Sequence, residues 1–417
     1  MEEETLKDLS ANCEVCITKP CQIGCPLNND IPKFIKHIQE KDYESAYLTM
    51  SKTTTLLSIC SRVCPTSEQC ENSCVKKVSF TPVQIGELER IIGDMGLDYS
   101  WNIPSLKITN HSVAIIGSGP SSLTCAAFLR RNGIAVTIFE KESYLGGLLA
   151  RGIPDFRLPK EIVNKEIAKI LNEGIKVEYN KELGKDIFLQ DLEKKYDAIF
   201  IGIGANNPNR IVLKGSQKKG VYYANEFLAN QETLNFKEKT VMVYGGGNTA
   251  VDIARLSKKM GANKVFILYR KEEKYLSAFE SEIQSAKEEG IEFLFQTCIT
   301  EIKGKEKVEK IVIQKTILKD NELTLVDNSQ ITLDCDYVFL ALGAKVNKIT
   351  SELGLEIDES GKIKINMMGE TSHPKVYAGG DVAGIKNTVA YASRSGRNAA
   401  YAITLALKGE SKYGEQQ

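Results

Sequence analysis

Eight of the eleven cysteines fall within the first 74 residues, in two runs. The first reads C-x2-C-x4-C-x3-C-P, at Cys13, Cys16, Cys21, Cys25 and Pro26. The second reads C-x3-C-P-x4-C-x3-C, at Cys60, Cys64, Pro65, Cys70 and Cys74. The other three, Cys125, Cys298 and Cys335, stand singly. Thiols concentrated in this way serve metal sites or disulfides. The N-terminus, Met1-Glu2-Glu3-Glu4, is acidic and lacks the basic-then-apolar order of a secretory signal, so the chain is expected in the cytoplasm. Persistent disulfides are rare there, and metal ligation becomes the leading reading.

Zinc sites usually show two C-x2-4-C or Cys/His pairs. A tight run of four cysteines ending in proline is the ferredoxin-type pattern for a [4Fe–4S] cluster, in which the fourth cysteine ligates a second cluster. On that pattern Cys13, Cys16 and Cys21 share one cluster with a distant fourth ligand, and Cys25 belongs to another. Zinc and inert cysteines stay open as alternatives on spacing alone. Between the runs, Asp30 and Pro32 mark a helix start, and Phe34, Ile35, Ile38, Ala46, Tyr47 and Met50 recur at helical spacing with a break near Lys41-Asp42. A second helical stretch covers 85–95. Residues 1–105 therefore read as a small helical domain.

The 417 residues suffice for two or three domains. Lys+Arg and Asp+Glu are both 54, which removes a global electrostatic argument for nucleic acid or an anionic membrane. No apolar run of about 18 residues suggests a transmembrane span.

Two nucleotide folds follow. A strand at 112–116 runs into Gly117-Ser118-Gly119-Pro120-Ser121-Ser122, a helix to Arg131, a strand at 135–139 and then Glu140. The glycines permit a tight turn and close approach of a pyrophosphate to the helix N-terminus, and the acid can accept from a ribose hydroxyl. Ser122 replaces the third glycine and is still small. Gly146-Gly147-Leu148 and 153–159 lie where such a fold meets a flavin, although ordinary loops read the same locally. The helix at 160–172 has the spacing of a surface amphipathic helix, and 197–205 is a buried strand ending in a small-residue turn. The pattern repeats with a strand at 240–244, Gly245-Gly246-Gly247-Asn248-Thr249-Ala250, a helix, and a strand at 264–269 ending in Arg270-Lys271. A basic ending hints at a 2′-phosphate, hence NADP. Residues 272–289 read as an exposed helix. Residues 336–344 echo 197–205, and Gly379-Gly380-Asp381 before a long helix places an acid for a ribitol hydroxyl or a helix cap. The expected architecture is α/β: the helical cluster domain at 1–105, an FAD-binding domain at 106–206 and 337–417, and an NAD(P)H-binding domain at 207–336 inserted in it, both Rossmann-like.

This combination resembles the flavin and iron–sulfur electron-input module shared by dihydropyrimidine dehydrogenases and the small subunit of glutamate synthase. The resemblance is carried by Cys60–Thr66, Ile138–Lys141, Gly146–Leu148, Ile153–Pro159, Gly245–Ala250 and Ala378–Val382. Val63–Thr66 and Leu276–Phe279 are most similar to the NAD-dependent subunit of bacterial dihydropyrimidine dehydrogenase. The resemblance implies Cys13, Cys16, Cys21 and Cys74 as ligands of one cluster, and Cys25, Cys64, Cys70 and Glu89 as ligands of the second. Glu89 stands where dihydropyrimidine dehydrogenase has a glutamine, a carboxylate also found in glutamate synthase. Cys60 has no ligand role in the pattern. FAD contacts are implied for Gly117, Gly119, Pro120, Ser121, Glu140, Gly147, Leu148, Arg157, Leu183, Gly380, Asp381, Asn387, Thr388 and Val389. Nicotinamide nucleotide contacts are implied for Gly246, Gly247, Asn248, Thr249, Arg270, Lys271, Ala341, Leu342 and Gly343. Where NADP-using relatives carry a further arginine, this chain has Ser277, which shifts the expectation toward NADH.

The implied activity is transfer of a hydride from NAD(P)H to FAD and of single electrons through two [4Fe–4S] clusters to a partner. No catalytic acid–base residue is required on this chain. The implied partner is an FMN- and iron–sulfur-containing catalytic chain that reduces uracil or thymine, giving a hetero-oligomer. The alternatives are a glutamate synthase small subunit, a ferredoxin-linked transhydrogenase, or a metal-binding scaffold without activity. A disulfide reductase would need a redox C-x-x-C near the flavin, which Cys125, Cys298 and Cys335 do not form.

Overall fold

In the computed structural model, which describes residues 2–78, 81–230, 233–319 and 322–409, the N-terminal hundred residues are short helices wrapped on one core. Asp30 accepts the Lys33 amide and Pro32 occupies the first turn of the Ile31–Gln39 helix. Lys41 turns left-handed (φ 60°), and Asp42 caps the next helix, Tyr43–Ser51, through the Ser45 amide. Leu57–Val63 and Ile85–Asp98 complete the set. Leu6, Phe34, Ile35, Met50, Leu88 and Ile92 are almost fully buried together, each contributing about 1.5–3 kcal/mol by removal from water. Cys13, Cys21, Cys25, Cys70 and Cys74 pack against this core. The core therefore holds both cysteine runs to one body.

The chain divides into two compact units. One comprises residues up to 150, 155–205 and those from 346 on; the other comprises 151–154 and 206–345. The first unit contains a five-stranded parallel sheet in the order Val376–Ala378, Ala198–Ile201, Ser112–Ile116, Ala135–Phe139, Lys176–Glu178. Its central strands are buried almost end to end, as parallel strands covered on both faces are. The Val389–Lys408 helix lies on the Pro120–Arg131 helix, and Gly396 abuts the Ser121 backbone, an approach that any side chain would block.

The second unit holds another parallel sheet, ordered Val221–Tyr223, Tyr337–Leu340, Thr240–Tyr244, Lys264–Tyr269, Glu292–Phe295. Residues 297–334, to which the sequence pattern gives no element, form antiparallel strands in which Lys310–Lys319 pairs with Thr297–Lys303, Glu322–Leu325 and Ile331–Asp334.

Three expectations need correction. Tyr337–Leu340 pairs with Thr240–Tyr244, so the inserted unit runs to Lys345 and not to 336. Its apolar run is a central strand of the second sheet. Within 272–289 the α-helix is confined to Glu280–Glu288, because Leu276, Ser277 and Ala278 fold back onto the glycine turn instead, through amide bonds from Ser277 and Ala278 to the Gly246 carbonyl.

The third concerns the Lys160–Leu171 helix, which is not merely a surface element. It packs on the Leu57–Val63 and Ile85–Asp98 helices, and Glu166, only 2% exposed, accepts the Ser58 amide at 2.8 Å. Lys169 donates to the Gly96 carbonyl and lies 4.3 Å from the Tyr47 ring centre. Burial pushes the Glu166 carboxyl from 4.5 up to about 7 and the Lys169 ammonium from 10.5 down to about 8; for both, burial outweighs their mutual attraction. The folded state thus binds the Glu166 proton more tightly than the unfolded chain does. The resulting stabilisation is complete below pH 4.5 and is lost as the pH rises through about 7. Lys169 acts in a separate window, losing stability as pH falls from 10.5 through about 8. Glu166→Gln keeps an acceptor for Ser58 and removes the titration. Thermal unfolding should therefore show the wild type losing stability relative to Glu166→Gln from pH 4.5 to 7, by up to about 3 kcal/mol. Parallel pH profiles would show that Glu166 does not titrate in this window.

Candidate functional site

Cys13, Cys16, Cys21 and Cys74 line one small cavity together with Pro20, Pro32, Ile35, Val83 and Ile85. Burial and the proximity of Cys13 and Cys74 push the Cys21 thiol up to about 12. The remaining ligand candidates gather separately. The charges that act on Cys25 are those of Glu89 and Cys64, and those that act on Cys70 include Glu89, Cys25 and Cys64. Glu89, 5% exposed on the Ile85–Asp98 helix, has its carboxyl pushed up to about 8 by burial, opposed by a hydrogen bond from Asn29. Cys60 lies one helical turn before Cys64, whose backbone amide donates to the Cys60 carbonyl. Sequence neighbours Cys21 and Cys25 thus fall into different groups, and each group draws on both runs.

Among the described residues no three Cys, His, Asp or Glu side chains are arranged to hold a single metal ion. A cluster is a larger body, and its thiolate ligands stand farther apart than those of one ion. Soft thiolates with one buried carboxyl are a donor set that fits iron.

In the first parallel sheet, the strand Ser112–Ile116 delivers the chain to Gly117, whose φ of 91° and contact with the Gly202 carbonyl exclude a side chain. Pro120 fills the first turn of the following helix. A Cβ on Gly119 would meet no atom within 4 Å, whereas one on Gly147 would face Gly119 Cα at 3.4 Å. The two glycines therefore border a cradle at the helix N-terminus that admits a phosphate backbone. Beside it, Glu140 accepts from the Ser118 hydroxyl at 2.5 Å and from the Glu142 amide at 3.0 Å. Each carboxylate oxygen retains a lone pair for a ribose hydroxyl.

Gly380 (φ 72°) donates its amide to the Ser395 hydroxyl, and burial raises the Asp381 carboxyl. Thr388 caps the Val389–Lys408 helix through the Tyr391 amide. Ser121 is buried toward Gly202 and Gly380, and Leu183 is buried with Ile116 and Phe139. Asn387 is exposed, Leu148 is 44% exposed, and Arg157 lies in the loop before the Lys160–Leu171 helix. These residues fit an FAD-type dinucleotide.

In the second unit, Gly245 abuts the Ala341 carbonyl, Gly246 abuts the Tyr269 ring, and Gly247 precedes the Asn248–Lys259 helix. Asn248 accepts the Phe279 amide, and Thr249 stands in the first turn. Arg270 is exposed at the strand end, and Lys271 lies over the Tyr275 ring. The carbonyls of Leu342 and Gly343 are held by Asn209. Ser277 hydrogen-bonds the Gly246 carbonyl, so it backs the glycine turn.

Residues 111–398 match the family described as pyridine nucleotide-disulphide oxidoreductase. The chain belongs to that family. It is an NAD(P)H-dependent FAD oxidoreductase, and residues 1–101 match a second family, dihydropyrimidine dehydrogenase domain II, 4Fe-4S cluster. The glutamate synthase [NADPH] small chain of Escherichia coli is 34% identical over 96% of this chain and 91% of its own length. The NAD-dependent dihydropyrimidine dehydrogenase subunit PreT of E. coli is 31% identical over 96% of this chain and 94% of its own. Among solved structures, FprA of Mycobacterium tuberculosis matches with a TM-score of 0.62 at 20% identity, over 72% of this chain and 85% of its own. Lactococcus lactis thioredoxin reductase matches at 0.57 and 24%, over 71% and 100%. The family members share the oxidoreductase fold of the flavin and nucleotide sheets. Among the described residues, no helix is long and apolar enough to cross a membrane.

Sequence reasoning missed the residues that join these groups within the first unit. Arg397 on the Val389–Lys408 helix donates to the carbonyls of Leu27 (2.8 Å) and Thr53 (2.9 Å), and Arg394 reaches the Pro26 carbonyl. Thr55 and Thr124 hydroxyls meet at 3.0 Å. An arginine 370 positions from its partner leaves no local signal.

Proposed function

We propose that this protein is an electron-input subunit, holding FAD and two [4Fe–4S] clusters and passing electrons from NADH to a catalytic partner that reduces uracil or thymine. When bound, FAD accepts a two-electron equivalent from reduced nicotinamide and releases electrons singly, and the clusters carry them one at a time. The chain supplies placement. Gly117 to Ser122 and the helix N-terminus receive the pyrophosphate, Glu140 a ribose hydroxyl, and Asp381 the ribitol. Cys13, Cys16, Cys21 and Cys74 hold one cluster; Cys25, Cys64, Cys70 and Glu89 hold the other.

One observation carries the reading. The Val389–Lys408 helix begins at the flavin-side residues Thr388 and Val389, and two turns later Arg397 clamps the Leu27 carbonyl, two residues from Cys25. At 1.5 Å per residue that is about 12 Å along one rigid element. The helix thus joins the flavin-side residues to the loop that follows Cys25.

For the donor, Ser277 offers no charge-assisted fork to a 2′-phosphate, so NADH is preferred. Anaerobic reduction with each nucleotide should give NADH a kcat/KM advantage of about tenfold or more, about 1.4 kcal/mol. Equal or NADPH-favoured values end that preference. A second reading, a glutamate synthase small subunit, is favoured by the carboxylate at Glu89 and by the 34% identity to such a chain. Affinity purification from the native host separates the two. Recovery of a flavin-containing chain active on uracil supports the first, and a large glutamine-dependent chain supports the second.

A further inference from the structure

We propose that Arg397 supplies a fixed positive charge that raises the midpoint potential of the second cluster. This rests on reading Cys25, Cys64, Cys70 and Glu89 as that cluster's site. Arg397 is half-buried, and its Nη1 donates to two carbonyls, of Leu27 at 2.8 Å and of Thr53 at 2.9 Å. Leu27 is two residues beyond Cys25. Arg394, three positions earlier and so on the same face of the helix, reaches the Pro26 carbonyl at 3.5 Å and lies over the Tyr391 ring at 4.9 Å. Two cations therefore converge on the segment that follows Cys25, although like charges at this helical spacing repel. The flavin side is served by a different face of the same helix. There the Ser395 hydroxyl accepts the Gly380 amide and Gly396 abuts the Ser121 backbone.

The partners of these arginines are unusual for this protein. Arginines withdrawn from water elsewhere in the chain meet carboxylates: Arg62 that of Asp94, Arg131 that of Glu173, and Arg255 those of Glu282 and Glu289. Among the described residues, Arg394 and Arg397 meet neutral carbonyls and form no ion pair. A carbonyl satisfies an N–H but leaves the charge without a counter-charge, which is costly for a cation drawn out of water.

A [4Fe–4S] centre held by anionic ligands is the counter-charge that this place calls for. Such a centre gains negative charge on reduction, and its potential is set by net charge, hydrogen bonds and exposure. A cation fixed beside the Cys25 loop stabilises the reduced state more than the oxidised one, which raises the potential. A guanidinium holds its charge throughout the physiological pH range, so the effect is constant. The raised potential favours this cluster as acceptor of electrons leaving the flavin.

The test uses the full chain, reconstituted without oxygen with iron, sulfide and FAD. Each cluster is followed by EPR through a potentiometric titration. Arg397→Gln keeps an amide donor for the two carbonyls and removes the charge, whereas Arg397→Lys keeps the charge. Arg397→Gln should make the second cluster about tenfold harder to reduce, a fall of ~59 mV for one electron, with the first cluster unmoved. Arg397→Lys should stay nearer to the wild type. A residue that only clamps the loop would lower thermal stability in these variants without moving the potential according to charge. The proposal is overturned if Arg397→Gln leaves the potential of the second cluster unmoved or raises it, or if Arg397→Lys lowers it as far. If Arg397→Gln does not retain the second cluster, Arg394→Glu decides. That position is exposed, and the new carboxylate would stand one turn from Arg397 and offset its charge. It should lower the potential of the second cluster, and an unmoved potential overturns the proposal. Wild type with only one cluster, or two clusters that both survive Cys25→Ala, overturns instead the site reading on which the proposal rests.

Discussion

Cys21→Ala and Cys25→Ala, four positions apart in sequence, are expected to remove different clusters. Cys21 lines a cavity with Cys13, Cys16 and Cys74, whereas Cys25 interacts with Cys64, Cys70 and Glu89. Each variant should keep about half of the wild-type iron, as expected if one of two clusters is lost. Cys74→Ala should reproduce the spectrum of Cys21→Ala, and Cys70→Ala that of Cys25→Ala. Cys60→Ala should keep both clusters, because the resemblance gives Cys60 no ligand role. A simple division of the cysteines into first four and last four predicts the opposite: Cys21→Ala and Cys25→Ala would then give the same product. Iron and sulfide assay with EPR on anaerobically purified variants distinguishes the two patterns. Every variant that loses a cluster should also unfold at lower temperature. On the proposed sets each cluster would tie residues 13–25 to residues 64–89, so losing either would release a cross-link between the two halves of one core.

The order of strands, glycine turns and helices was legible in the sequence because each follows from a local rule. A parallel strand buried on both faces reads as an apolar run, and a glycine turn at a helix N-terminus follows it; 112–131 and 240–259 show this directly. The antiparallel strands at 297–334 were not legible, since half-exposed strands such as Ile331–Asp334 give a weak alternation and their pairing is non-local. At the cluster site, spacing separated Cys25 from Cys13, Cys16 and Cys21 but gave neither set its remaining members. Division depends on which residues a helix brings inward, and Glu89 is one ordinary glutamate in a helix that carries another, Glu87. Glu166 and Arg397 were invisible for a related reason. Each acts on a residue far along the chain, at Ser58 and Leu27, and their own neighbourhoods carry no marker of it.

Gly119→Val should abolish flavin binding and leave the fold intact, whereas Gly117→Ala should damage the fold itself. Gly119 has φ −70° and ψ −179°, open to any residue, and a Cβ there would meet nothing within 4 Å. Loss of glycine at this helix N-cap costs less than about 1 kcal/mol. The added methyls would point into the cradle between Gly119 and Gly147, where a pyrophosphate must approach the helix amides. Flavin affinity should fall about a hundredfold or more, about 2.7 kcal/mol, with the thermal unfolding of the apoprotein nearly unchanged. Gly117 differs in both respects. Its φ of 91° strains any side chain, and a Cβ would overlap the Gly202 carbonyl at 2.6 Å. Backbone strain and overpacking together should destabilise the protein by the order of 3 kcal/mol. Flavin would be lost from this variant as well, but as a consequence of a distorted sheet. Flavin stoichiometry from absorbance, read beside thermal unfolding, separates a blocked cradle from a broken turn. Gly119→Val that retains full flavin would mean that the dinucleotide does not lie against this turn, and Glu140 and Asp381 would then have to be reassigned with it, since they flank the same helix N-terminus.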